Sequence, residues 1–183
     1  THEARIVSVI DLGLQTQTHW KTRTNLDPDG NKLDPKRIVM ITFETPDEMM
    51  TYDDKDGNEV TKPRWITKEY TLSFHEMAAL RKLVDALNPN LESLEELLNT
   101  PCMITIGSTA TGNAKITMVS KPSMKTVVGE LVNDTFNFDF SHPDIELFNG
   151  LLNWQQTKIK KALYYISFAD DLKPKSVAID FFC

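Results

Sequence analysis

The chain has 183 residues, 40% of them hydrophobic and 25% charged, with a formal net charge of −6. That length bounds one domain, or one with an appendage, and the composition excludes a chain that is disordered throughout. The acidic balance excludes nucleic-acid binding over the whole surface but leaves room for a local basic patch, and no apolar run approaches the ~20 residues of a transmembrane helix.

The opening "THEARIVSVIDLG" lacks the basic, apolar, small-residue order of a secretory signal, so the cytoplasm is the expected compartment. Cys102 lies in an apolar run and Cys183 is far from it in sequence, which suits a reducing environment better than a disulfide framework. Residues 4–15, "ARIVSVIDLGLQ", are apolar in both alternating sets and predict a buried strand. Residues 16–35 are polar, with a turn signal at Asp27-Pro28-Asp29-Gly30, and predict a long loop or hairpin extension. "KRIVMITFET" (36–45) predicts a second strand. An acidic connection over 46–63, turning at Asp56-Gly57-Asn58, leads to a third, "RWITKEYTLS".

Ser73 and Glu76 then form an S-x-x-E capping box, which predicts a helix starting where that strand stops. Met77, Leu80, Val84 and Leu87 fall on one face of it, and Asn88-Pro89 ends it. Asn90 is placed to cap a second short helix, "LESLEELLN". "CMITIGS" and "AKITMVSK", joined by a Gly112-Asn113 turn, predict a hairpin. Three strands, a helical segment and two strands give the expected fold: mainly β with α, a five-stranded OB-fold-like Greek-key barrel with its helix between strands 3 and 4. The domain is expected over 1–121. A C-terminal helical extension and tail follow over 122–183, with a short helix started by Asp and Pro and a longer amphipathic one over 154–168 that carries Lys158, Lys160 and Lys161 on its polar side.

Tests for chemistry return little. "GSTATGNA" (107–114) has two glycines at phosphate-loop separation, but Asn113 and Ala114 stand where Lys and Ser/Thr are required, so a hairpin loop is expected. Asn25, Asp27, Asp29 and Gly30 match the start of a calcium loop, but Lys36 replaces its bidentate Glu. The four His share no metal spacing, and His142-Pro143-Asp144 reads as a helix start. No nucleophile elbow or paired-carboxylate constellation emerges, so no enzyme, metal or cofactor is expected.

Binding a single strand needs cations along a groove and aromatic faces on which bases stack. The candidates are Trp20, Lys21 and Arg23 in the first loop, Arg37 at the start of strand 2, and Arg64, Trp65 and Lys68 on strand 3. Period two groups Trp65 with Thr67, Glu69 and Thr71, so an exposed stacking platform and an inward turn at a bulge are both open for this Trp. Phe43 and Tyr70 share their sets with Val39, Ile41, Ile66 and Leu72 and are expected in the core. Lys115, Thr117, Val119 and Lys121 on the last strand extend the cationic rim.

"IVSVIDLGLQ", "IVMITFETPDE", "KPRWITKEYTLSFHEMAALRKLVDAL" and "LLNWQQTKIKKALYY", in this order, resemble bacteriophage single-stranded DNA-binding proteins of replication and recombination. The resemblance implies an OB-like core that coats single-stranded DNA without sequence preference in the host cytoplasm. The expected partners are single-stranded DNA and replication or recombination proteins, with no membrane; the exposed edges of an open barrel would also admit a homodimer. The ending "KPKSVAIDFFC" is weakly acidic, a poor match to an acidic docking tail. The alternative reading is a phage protein-interaction module acting on a host or replication partner through the 44–59 connection or the C-terminal helices.

Overall fold

The computed structural model describes residues 1–54, 56–163 and 165. Its sheet holds β1 (His2–Gln15), β2 (Lys36–Asp53), β3 (Glu59–Thr71), β4 (Pro101–Ser108), β5 (Ala114–Ser120) and β6 (Phe136–Phe138). The order is β3-β2-β1-β4-β5, antiparallel throughout, and β6 runs parallel to β1. Along one edge β1 pairs first with β4, through His2 to Arg5, and then with β6, through Ser8 to Ile10. The expected five strands are thus six, and the sheet is open: among the described residues no ladder joins β3 to β5.

The two alternating apolar sets of β1 and β2 have separate uses. Ala4, Ile6, Val9, Val39, Ile41 and Phe43 form a core with Ile66 and Tyr70 of β3 and with Leu80, Leu83 and Leu87 of helix α1 (Ala79–Leu87). On the other face Ile10, Leu12 and Met40 pack on Phe138 of β6, on Phe148 of α2 (Ile145–Gly150) and on Ile159 of α3 (Asn153–Lys160). A strand must be apolar on both sides to be covered on both, which is why 4–15 lacks polar alternation. The segment after β5 therefore returns and covers the outer face of the sheet.

A cross-strand pair of opposite charges secures that return. Arg5 and Glu44 stand opposite each other in the β1–β2 ladder. Arg5 Nε donates to the Gly129 carbonyl at 2.7 Å and its Nη2 donates to Glu130 Oε1 at 3.0 Å. Glu44, 0% exposed, accepts from Val132 N and Asn133 Nδ2, both at 2.7 Å. The pair thus grips residues 129–133 from two adjacent points, each charge stabilised by fixed dipoles of the returning chain.

Several local expectations shift. Strands β2 and β3 continue into the acidic connection as a two-stranded extension, pairing Met49 to Asp53 with Glu59 to Pro63. Its turn is made by Asp54, whose Oδ1 accepts from Asp56 N and Asn58 N, each at 2.9 Å, with Gly57 at φ 80°. The backbone N–H of Asn58 is the leading cause that holds the Asp54 carboxyl below its ordinary range. Asp27 closes the first loop in the same way, accepting from Asp29 N and Asn31 N, so its carboxylate serves a turn. The 107–114 segment is the expected hairpin loop, closed by Thr109 N on the Asn113 carbonyl at 2.8 Å.

Helix α1 begins at Ala79 rather than at Ser73, because residues 73–78 form turns in which Ser73 Oγ accepts from His75 N. Met77 therefore lies before the helix and is 68% exposed, while Leu83 joins Leu80, Val84 and Leu87 in the buried stripe. The reciprocal capping box occurs instead at Ser93 and Glu96, heading a 3-10 turn over Leu94–Leu97, so Asn90 is not that cap. Asp144 starts α2 by accepting from Leu147 N at 3.0 Å. The long amphipathic helix expected over 154–168 is α3 as far as Lys160, followed by turns; residues 166–168, the tail and Cys183 lie outside the described residues.

Two substitutions check where α1 begins. Leu80→Ala, at a fully buried site, is expected to lower unfolding free energy by about 2–5 kcal/mol, and Met77→Ala to change it by less than about 0.5 kcal/mol. Urea unfolding measures both, and equal losses would restore the earlier helix start.

Candidate nucleic-acid interface

The loop over 16–35 is closed by its own hydrogen bonds. His19 N donates to the Thr24 carbonyl at 2.8 Å, Arg23 N donates to the His19 carbonyl at 2.9 Å, and Thr22 Oγ1 donates to the Leu26 carbonyl at 2.6 Å. Arg23 adopts φ 59° to make that turn. The result presents Trp20 to solvent at 71% exposure. The His19 ring stacks on it with centroids 6.0 Å apart, and Lys21 Nζ lies 5.0 Å from the indole centroid. An exposed indole with an ammonium beside it combines a flat apolar face with a positive charge, the two properties that a base and its phosphate require.

A second aromatic site lies on the β2–β3 extension. Met50, Tyr52, Lys62, Pro63, Arg64, Trp65, Asn133 and Leu152 line a groove of about 290 Å³. Trp65 is half-buried, and its Nε1 donates to Glu44 Oε2 at 2.8 Å. It therefore faces the C-terminal segment, on the outer side of β3, with its ring fixed by the same carboxylate that holds Asn133. Arg64 is steadied by Glu48 at 3.6 Å, and Glu48 also meets His2. Lys62 has no such partner among the described residues.

The other two candidates sit apart. Arg37 grips the Asp11 carboxylate through Nε and Nη2, and its Nη2 reaches Ser141 Oγ at 3.0 Å, so it ties β1, β2 and the C-terminal segment together. Hydrogen bonding to Asp11 holds its guanidinium further above its ordinary value. Lys68 lies on the opposite side of β3 from Trp65, half-buried, with Nζ 5.1 Å from the Tyr70 ring centroid. Burial pushes its ammonium pKa down, and the charge of Lys115 adds to that.

Of the seven residues singled out, the fold therefore gathers Trp20, Lys21 and Arg23 in one loop and Arg64 with Trp65 in one groove. Sequence reading missed Met50, Tyr52 and Lys62 as groove residues. No hydrophobic alternation marked them, because Met49 adjoins Met50 and acidic residues surround the Asp56-Gly57 turn; the cross-strand register, which sets Met50 opposite Lys62, brings them together.

Glu44→Ala removes the acceptor shared by Trp65, Val132 and Asn133. It is expected to cost roughly 2–3 kcal/mol of stability and to make Trp65 more accessible to acrylamide quenching, read in a Trp20→Phe, Trp154→Phe background. An unchanged quenching constant would show that Glu44 does not orient the ring. No family model, curated protein or solved structure matches the chain.

Proposed function

We propose that this protein binds single-stranded DNA without sequence preference, by stacking bases on Trp20 and Trp65 and neutralising phosphates with Lys21, Arg23, Lys62 and Arg64. The observation that carries the reading is the solvent-facing Trp20 with Lys21 beside it, on the loop that leads from β1 to β2. The strand order β3-β2-β1-β4-β5, with α1 between β3 and β4, supports an OB-like barrel left open between β3 and β5. In that architecture the loop between strands 1 and 2 and the face of strands 2 and 3 form the binding surface. The resemblance to phage proteins of replication and recombination adds the setting, and the role is binding rather than catalysis.

The acidic net charge is compatible with this role because the field that a strand meets is local. Lys21, Arg23 and Lys62 have no carboxylate within ion-pair reach among the described residues. Affinity should therefore fall steeply with salt, by a log–log slope of about −0.7 per phosphate contact.

One observation favours the second reading, a module for a host or replication protein. A groove of about 390 Å³ is lined by Val9, Val39, Leu72, Phe74, Leu91 and Leu94 and rimmed by Asp11, Glu92, Glu95 and Asp139. Its apolar floor and acidic rim suit a basic, apolar peptide and repel DNA.

Intrinsic tryptophan fluorescence during titration with oligo-dT, and then with matched duplex, tests the first reading. Quenching by the single strand, weakened by salt, is expected. Trp20→Ala should lose about 1–3 kcal/mol of binding, the value of one base stack. A flat response to both nucleic acids would overturn the reading in favour of the protein-binding module.

A further inference from the structure

The open side of the sheet is lined by cations from β3 and α1, with a third cation, on β5, nearby. Lys68 of β3 and Lys82 of α1 line the cleft between β3 and β5, together with Tyr70, Ala79 and Leu83 on one side and Thr117, Met118 and Val119 of β5 on the other. Lys115 of β5 is close enough to oppose the Lys68 charge. None of the three lysines has a carboxylate within ion-pair reach among the described residues, although the chain as a whole is acidic. Lys68 is also partly withdrawn from water against the Tyr70 ring. Folding has thus gathered like charges, the half-buried Lys68 and the exposed Lys82 lining a cleft of about 180 Å³ and the exposed Lys115 near Lys68, with no countercharge among the described residues, an arrangement that an incoming anion relieves.

We propose that the cleft between the free edges of β3 and β5 holds backbone phosphates of a bound single strand, through Lys68, Lys82 and Lys115. The inference rests on the single-strand reading above and extends it. The aromatic groove around Trp65 opens on one face of β3 and Lys68 on the other. A strand that uses both must cross the edge of β3 that faces β5, an edge with no paired strand among the described residues. Chemically the site asks for phosphate and not for a base: its charged groups are flexible ammonium donors, and its one aromatic, Tyr70, is 3% exposed and sits in the core. Lys82 is the new member, since it belongs to the helix and not to the expected binding face.

The test is fluorescence anisotropy with labelled oligo-dT of two lengths, about 6 and about 25 nucleotides, across a range of salt. The proteins are the wild type, a triple Lys68→Gln, Lys82→Gln, Lys115→Gln variant, the corresponding triple Lys→Arg variant, and Lys125→Gln as an exposed control outside the cleft. Unchanged circular dichroism verifies folding, and the charge-preserving Arg variant separates charge from packing. For the long strand the Gln variant should show a log–log salt slope shallower by about 2, while the Arg variant and the Lys125→Gln control keep the wild-type slope. The short strand, unable to pass round the edge, should bind all four proteins alike. Wild-type binding with the same slope in the Gln variant overturns the cleft and leaves the single-strand reading standing. No wild-type binding to either length overturns both. Inorganic phosphate separates the remaining source of the same chemistry: displacement of the long strand by phosphate no better than by chloride at equal ionic strength supports backbone binding, and displacement far better assigns the cleft to a free anion.

Discussion

The paired grip of Arg5 and Glu44 on the returning chain is the constraint on which the outer half of the molecule depends. These residues face each other across the ladder, where opposite charges would ordinarily neutralise one another. Here each is satisfied chiefly by the connection between β5 and β6, the cation by carbonyls and the carboxylate by N–H groups. A buried carboxylate without such donors would be costly, so the connection cannot leave without exposing or stranding charge. That fixes where β6 begins, and β6 in turn brings Phe138 onto the outer face of β1.

The same grip sets the character of the aromatic groove. Trp65 has no apolar company on its own strand, yet its indole is neither free nor swallowed by the main core. Glu44 takes its N–H, the C-terminal segment supplies Asn133 and Leu152 beside it, and the ring becomes one wall of a groove. Orientation by a buried acceptor limits the rotamers open to the ring, which reduces the conformational entropy lost when a flat ligand stacks on it. Trp20 is held differently, by a loop with internal hydrogen bonds, its indole meeting the His19 ring and the Lys21 ammonium. One site is ordered by the core and the other by a turn.

The central strands and the main core were legible because they rest on strong local patterns: unbroken apolar runs for β1 and β2, and helical spacing for Leu80, Val84 and Leu87. The extension of β2 and β3 was not legible, because a two-stranded ribbon exposed on both faces is held by backbone pairing and shows no hydrophobic alternation. The Ser73 and Glu76 pattern misled because the chain spends residues 73–78 on turns before α1, whereas the same chemistry at Ser93 and Glu96 forms in full. The outer layer was hidden for another reason. Only a fold brings Arg5 to Gly129 or Asp11 to Arg37, and charged residues far apart in sequence carry no sign of which partner they will meet.

Leaving β3 unpaired along its outer side has a consequence for how copies of this chain meet. A bare edge is a template for pairing with a second strand, and proteins blunt it with proline, lysine and short runs. This edge carries Pro63, which offers no N–H to a ladder, between Lys62 and Arg64, with Lys68 further along. Two such edges meeting over residues 62–68, between Glu59 and Glu69, would bring like charges together, and the repulsion would be strongest in dilute salt. A strand edge interrupted by a proline between two cations is therefore a poor template for a second copy of itself, and poorest in dilute salt.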